Sequence, residues 1–280
     1  MAEIHPTAIV DRRAELANDV FIGAYSIIKA GVQIGAGTVV QEHSHIHGNV
    51  VIGKNCRIGP TAFIGLPPQH TKFDGAGARA IIGDDVVIRE LATIHRSIYN
   101  DPEHATIVKN KAYIMATSHV GHDSVVDEEA MIAHGAMLGG HTHIGSKAFI
   151  GGGAAIHQFV SIGRIAIING NAGITSDVPP FAAVRYEGLK GYNAIGCKRS
   201  GMSHETLKAV RLMYHLIHTH RTWPNAIEAI KTQVPLLPEI VEVLEFVRTS
   251  KRGVIGSVRG AALARKGMAR SSMTSMDSDD

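Results

Sequence analysis

The feature that most narrows the possible folds is a six-residue beat. From Val108 onward an aliphatic residue recurs at every sixth position: Val108, Ile114, Val120, Val126, Ile132, Leu138, Ile144, Ile150, Ile156, Ile162, Ile168 and Ile174. Neither a helical period nor a strand alternation makes that spacing. Four residues after each comes a second small or inward-type residue, from Ala112, Ser118 and Ser124 to Ala166, Ala172 and Val178. A hexad with two buried positions is one face of a triangular parallel β-helix, three hexads making one coil. The same beat runs through Val10, Leu16, Ile22, Ile28, Ile34, Val40, Ile46, Ile52, Ile58 and Ile64. An all-β prism over residues 1–180 is therefore expected.

Two segments break the beat. Residues 66–79 carry two prolines and two glycines and are read as an excursion from the prism; residues 99–106 are a second, after which the phase shifts to Val108. Loops leaving a regular repeat are where binding residues concentrate. Gly23, Gly35, Gly53, Gly59 and Gly65 follow the aliphatic position, as expected where a chain turns a corner in a strained conformation. The beat ends at Pro179-Pro180. Residues 181–255 read as a linker, irregular from Tyr186 to Ser200, and an α-helical C-terminal domain. Its helices start after Ser203, at Thr222-Trp223-Pro224 and at Pro238-Glu239. Residues 256–280 show no periodic face and are expected to be disordered.

Composition excludes several classes. Apolar residues at 45% suffice for a core, and 5% aromatic content suits a narrow prism filled by aliphatic side chains. The two cysteines have no pairing pattern. A net charge of +3 with no dense basic stripe argues against nucleic-acid binding. The N-terminus lacks the basic-then-apolar pattern of a signal peptide, and no charge-free run is long enough for a membrane span. A cytoplasmic protein without stable membrane insertion is expected.

Coils stack about 4.8 Å apart, so adding the eighteen residues of one coil to a residue number gives the neighbour above. Asp123 then lies under His141, and His122 under Gly140. One edge gathers a histidine, a carboxylate, a second histidine and a glycine amide, none of which a bare repeat needs. An imidazole can take a proton near neutral pH, and an adjoining carboxylate holds its tautomer. The plainer alternative is a structural His122-Asp123 hydrogen bond. Of seventeen histidines, His43, His45 and His47 read as surface or subunit-contact residues. Metal is a rival use of the clustered histidines, since His119, His122, His141 and His143 could join across a subunit contact. The five-residue histidine spacing of zinc hydratases with this fold occurs here only at His215 and His220, in the helical region, so no metal and no cofactor is assigned. Cys56 and Ser118 occupy inward positions, which argues against a covalent nucleophile. Gln69 and Lys72 on the first excursion, and Lys198-Arg199, suit an anionic, phosphate-bearing substrate, with solvated surface lysines the equally common alternative for each alone.

Several motifs in order are more specific than the hexads. They are Ile88-Arg89-Glu90, Thr93-Ile94-His95-Arg96, His119-Val120-Gly121-His122-Asp123, Gly139-Gly140-His141, Ala155-Ile156-His157-Gln158-Phe159, Asp177-Val178-Pro179-Pro180 and Lys198-Arg199. With them the chain resembles the UDP-N-acetylglucosamine O-acyltransferases that begin lipid A biosynthesis, from His5 to about Ile255. The resemblance implies a left-handed parallel β-helix with a helical cap, assembled as a homotrimer with active sites between prisms. It implies transfer of a fatty acyl chain, of the 3-hydroxyacyl type, from acyl carrier protein to the sugar 3-position. His122 would be the general base, Asp123 its orienting carboxylate and the Gly140 amide the oxyanion donor. His119 and His141 would contact the sugar, Gln69 and Lys72 the substrate around its phosphates, and His157, Gln158, Asn193 and Arg199 the nucleotide part or its surroundings. Gly170 would set room for the acyl tail. Three positions depart from the family pattern: His70 stands where a carboxylate is usual, Ile195 where an acidic residue is, and Ser200 where a second arginine is. They leave open a 3-amino acceptor, and the alternative reading is an N-acyltransferase on a UDP-3-amino-sugar or a coenzyme A-dependent sugar-nucleotide acyltransferase.

Overall fold

The structure, a computed structural model, describes residues 1–71, 73, 75, 77–186, 188–220 and 222–256. The tail expected to be disordered lies, from residue 257 on, outside the described residues. Most strands are only two residues long, because each hexad gives its remaining residues to a corner. Along the prism, successive strands of a face pair in parallel from one coil to the next, as Glu3 with Phe21 and Ile4 with Ile22. Three sheets of 11, 9 and 8 strands result, and together they form a left-handed parallel β-helix. We call them the first, second and third faces; they begin at Glu3–Ile4, Ile9–Val10 and Glu15–Leu16.

The hexad aliphatics fill the prism axis: Ile22, Ile58, Ile132 and Ile168 are fully buried, with Cys56, Ala112, Ser118, Ala130 and Ala148 between them. Burying each such isoleucine stabilises by roughly 1.5–3 kcal/mol. The buried hydroxyls are satisfied, with Ser118 Oγ donating to the Met115 carbonyl at 2.6 Å and Ser124 Oγ to the Gly139 carbonyl at 3.0 Å.

Corners correct the reading of the glycines. The left-handed residue is the third past the buried aliphatic and is seldom glycine: Asp123 has φ 58°, His141 57° and Phe159 66°. Gly23 lies outside that region, and a Cβ on it would come within 2.7 Å of the Glu42 nitrogen and 2.8 Å of the Gln41 carbonyl carbon. Glycine is required there because the next coil passes too close for a side chain, not because the backbone turns; of the five glycines, Gly65 alone has left-handed backbone, with φ 77°.

The two excursions leave and re-enter as continuous strands, Phe63–Leu66 to Arg79–Ile82 and Thr93–His95 to Thr106–Val108. Residues 66, 79 and 106, at the ends of the expected loops, are thus in strands. Past Pro180 the stretch expected to be irregular is ordered. Ala182–Arg185 extends the first face, Gly188–Tyr192 pairs back antiparallel, and α1 spans Ala194–Arg199. Three longer helices follow: α2, His204–Thr219, capped by Ser203 accepting from the Thr206 amide; α3, Trp223–Gln233; and α4, Pro238–Thr249. The helices are joined to the prism by Tyr214, whose hydroxyl donates to the Pro180 carbonyl, and by Arg164, 2.8 Å from Glu242. No helix among the described residues is long and apolar enough to cross a membrane.

Gly23→Ala separates the two accounts of the corner glycines. Steric crowding destabilises the variant by about 1–3 kcal/mol in denaturant unfolding; a stabilisation of about 0.4–1 kcal/mol, the effect of relieving a merely flexible glycine, would contradict it.

Candidate active site

Three successive coils turn the corner between the second and third faces through Gly121-His122-Asp123, Gly139-Gly140-His141 and His157-Gln158-Phe159. Backbone hydrogen bonds lock them together: His141 N–H donates to the His122 carbonyl at 2.8 Å, and Phe159 N–H to the Gly140 carbonyl at 3.0 Å. His122 Nδ1 lies 2.8 Å from Asp123 Oδ2, and His141 Nε2 is 3.9 Å from the same oxygen. A Cβ on Gly140 would fall 2.5 Å from His122 Nε2, so this glycine is what lets the imidazole lie against the backbone of the coil above. Among the described residues the Gly140 N–H donates to no protein acceptor.

The second excursion is fastened to Asp123 at both ends. Ile98 N–H donates to Asp123 Oδ2 at 3.1 Å, and Asp123 N–H donates to Thr106 Oγ1 at 2.7 Å. Burial acts to raise the Asp123 carboxyl, but hydrogen bonds from His122, Ser97 and the Ile98 amide outweigh it and hold the group below its ordinary value. An ionised carboxylate only accepts, so Nδ1 of His122 carries the proton and Nε2 is left as the basic nitrogen. His141 is kept below its ordinary value mainly by burial, as is His119; His95, buried beneath them, is held down to about 4 by burial and the neighbouring His119 and His122. Aromatic contacts fix the rings. His141 stacks on Phe159 at 4.6 Å and meets His122 edge-on at 5.0 Å, while His70 meets His122 edge-on at 5.8 Å. His122, Asp123 and His141 are also grouped closely enough to hold a metal ion.

His119 lies on the strand leading into the corner, its Nδ1 2.7 Å from Thr93 Oγ1 and its ring 4.7 Å from His95. His157 and Gln158 are exposed one coil above Gly140, with His157 Nδ1 3.1 Å from the Gln158 carbonyl. Gln69 is exposed beside His70, and Lys72 lies outside the described residues. The other three candidates are not at this corner. Gly170 sits where the first face turns to the second, above Gly152. Asn193 caps α1 by accepting from the Gly196 amide at 2.9 Å and donating to the Ile165 carbonyl at 2.7 Å. With Arg199 it lines a hollow of about 690 Å³ along the third-to-first edge, beside Lys147 and Phe149. One chain therefore spreads the candidate residues over all three edges. Cys56 and Ser118 point into the core, and burial pushes the Cys56 thiol up.

Sequence reasoning missed Thr93, Ser97, the Ile98 amide, Thr106 and the Phe159 stack. Thr93 was recoverable: the phase shift after the second excursion makes the step 26 residues, Thr93 to His119, rather than one coil.

Comparison with known proteins follows the same lines. Residues 177–255 match the family model described as UDP N-acetylglucosamine O-acyltransferase, domain 2, and residues 13–48 and 32–65 match bacterial transferase hexapeptide repeats. The acyl-[acyl-carrier-protein]--UDP-N-acetylglucosamine O-acyltransferase of Thermodesulfovibrio yellowstonii is 41% identical over 91% of this chain and 99% of its own. That of a Sulfurihydrogenibium species is 45% identical over 91% and 94%. The solved structure of LpxA from Acinetobacter baumannii is 34% identical and superposes with a TM-score of 0.84 over 90% of this chain and 98% of that one.

The buried His95 makes stability depend on pH. Its folded value of about 4 lies below the ordinary 6.5, so the unfolded chain takes up a proton that the folded one refuses. Stability present near neutral pH is lost as pH falls from about 6.5 towards about 4, by at most about 3 kcal/mol from this residue. Denaturant titrations across that window test it: His95→Gln flattens the acid limb, and an unchanged limb in the variant would refute the assignment.

Proposed function

The chain belongs to the UDP-N-acetylglucosamine O-acyltransferases, and on that footing we propose that it moves a 3-hydroxyacyl chain from acyl carrier protein to the sugar 3-hydroxyl of UDP-N-acetylglucosamine by general-base catalysis at His122. The observation that carries this reading is the His122-Asp123 pair with the His122 ring set against Gly140. His122 Nε2 takes the hydroxyl proton as the sugar oxygen attacks the thioester carbonyl carbon. The oxyanion that forms accepts from the Gly140 N–H, a fixed donor aimed where charge develops. That attack has already formed the ester C–O bond; collapse restores the carbonyl, breaks the C–S bond and expels the carrier's thiolate, which receives the proton from the His122 imidazolium. The Asp123 carboxylate stabilises that imidazolium. The inward orientation of Ser118 and Cys56 supports direct transfer without an acyl-enzyme.

The spread of Gly170, Asn193 and Arg199 onto other edges of the prism supports a homotrimer whose sites lie between neighbours. One copy supplies the His122 corner and another the edge that meets it. His119 and His141 then face the sugar, Gln69 and Lys72 the phosphates, His157, Gln158, Asn193 and Arg199 the nucleotide side, and Gly170 the acyl tail. The acidic carrier protein is read as docking on basic surface near the helices. His70, edge-on to His122 where the family pattern has a carboxylate, is the observation favouring a 3-amino acceptor as the second reading.

Steady-state assays with UDP-N-acetylglucosamine and its 3-amino analogue, each offered with acyl carrier protein and coenzyme A thioesters, decide acceptor and donor. His122→Ala lowers turnover by about 10²–10⁴-fold with little change in nucleotide affinity, and wild-type turnover in that variant would overturn the mechanism. Trimers mixed from His122→Ala and Arg199→Ala chains regain activity that neither parent has; a failure to complement would contradict the shared site.

A further inference from the structure

We infer that His122, Asp123 and His141 form a binding site for a zinc ion, taken up in competition with substrate. Each of the three offers one ligand atom, and these atoms all lie within 4.8 Å of one another. Asp123 Oδ2 is 2.8 Å from His122 Nδ1 and 3.9 Å from His141 Nε2. Two ligands held at zinc's usual bond lengths in a tetrahedron are about 3.3 Å apart, so the measured pairs bracket the required spacing and small side-chain rotations close it.

The donors are two imidazoles and a carboxylate, a set that suits zinc. They are also held in place by other groups: the Ile98 amide fixes Asp123 Oδ2, and Phe159 stacks flat on the His141 ring. Three protein ligands leave a fourth position open to water, on a corner where His70 packs edge-on to His122. The ion takes the place of the proton that joins His122 Nδ1 to Asp123, and the imidazole stays neutral by carrying its proton on Nε2 instead. Affinity for the ion is independent of the acyl-transfer reading; inhibition by it rests on that reading, because with the ion on Nδ1 the proposed base, Nε2, already carries a proton.

The test uses the full-length protein, stripped with a chelator and titrated with zinc chloride by calorimetry, with the visible absorption of bound cobalt(II) reporting the coordination. Asparagine tolerates the left-handed corner at both positions, so His141→Asn and Asp123→Asn remove a ligand without straining the fold. His143→Asn is the control, since His143 pairs with Asp127 on the third face. Wild type takes up one equivalent per protomer, at least about tenfold more weakly in His141→Asn and Asp123→Asn and unchanged in His143→Asn. No uptake by wild type, equal uptake by His141→Asn, or loss in the control would overturn the site. Chelator-reversible inhibition of acyl transfer accompanies uptake. Uptake that depends on His141 but leaves transfer at its full rate would keep the metal site and overturn the catalytic assignment of the corner.

Discussion

Everything at the candidate site depends on one coil being hydrogen-bonded to the next in a fixed register. His119 N–H donates to the Ala136 carbonyl, Gly121 N–H to Leu138 and His141 N–H to His122, all at 2.8 to 2.9 Å. A slip of one residue would turn every buried aliphatic outward, so the apolar axis of the prism fixes which polar groups meet at its edges. The His122 ring lies against Gly140 because Val120 and Leu138 are buried and paired. Packing energy and site geometry have the same source.

The corners carry the strain of this arrangement. Asp123, His141 and Phe159 all adopt left-handed backbone, which disfavours a side-chain-bearing residue by roughly 1–2 kcal/mol each. Coil-to-coil hydrogen bonds offset it. In return, three side chains from three coils leave the prism at the same point and in one direction, within reach of a common ligand. Asp123 is further fixed by the second excursion, whose Ile98 amide and Thr106 hydroxyl hold its two sides. A loop that interrupts the repeat thus positions the carboxylate that pairs with His122.

Much of this was legible in the sequence because the repeat is arithmetic. The six-residue beat implied the prism, and a step of eighteen residues put His122 under Gly140 and Asp123 under His141. The step fails where chain is added. His119 pairs above Thr93, and Ile64 above Ile46 but below Ile94, because the excursions lengthen two coils. Contacts made by the excursions themselves follow no period, so Ile98, Thr106 and the buried His95 were out of reach. Backbone freedom explains Gly65, with φ 77°, but close approach of the next coil explains Gly23, Gly35, Gly53 and Gly59; a single sequence shows that glycine is present without showing which of its two properties is used. The hairpin at 182–192 was missed because glycine and tyrosine there mask a strand that only the end of the first face makes favourable.

Coil stacking sets the Gly140 backbone against the His122 ring, and the proposal that this edge takes a proton and holds an oxyanion depends on that contact. The turnover of Gly140→Ala tests it most directly. Gly140 is not in the left-handed region, so alanine adds only a methyl group aimed at the His122 ring. Turnover is expected to fall at least about a hundredfold with the unfolding midpoint little changed. Wild-type turnover in that variant would contradict it.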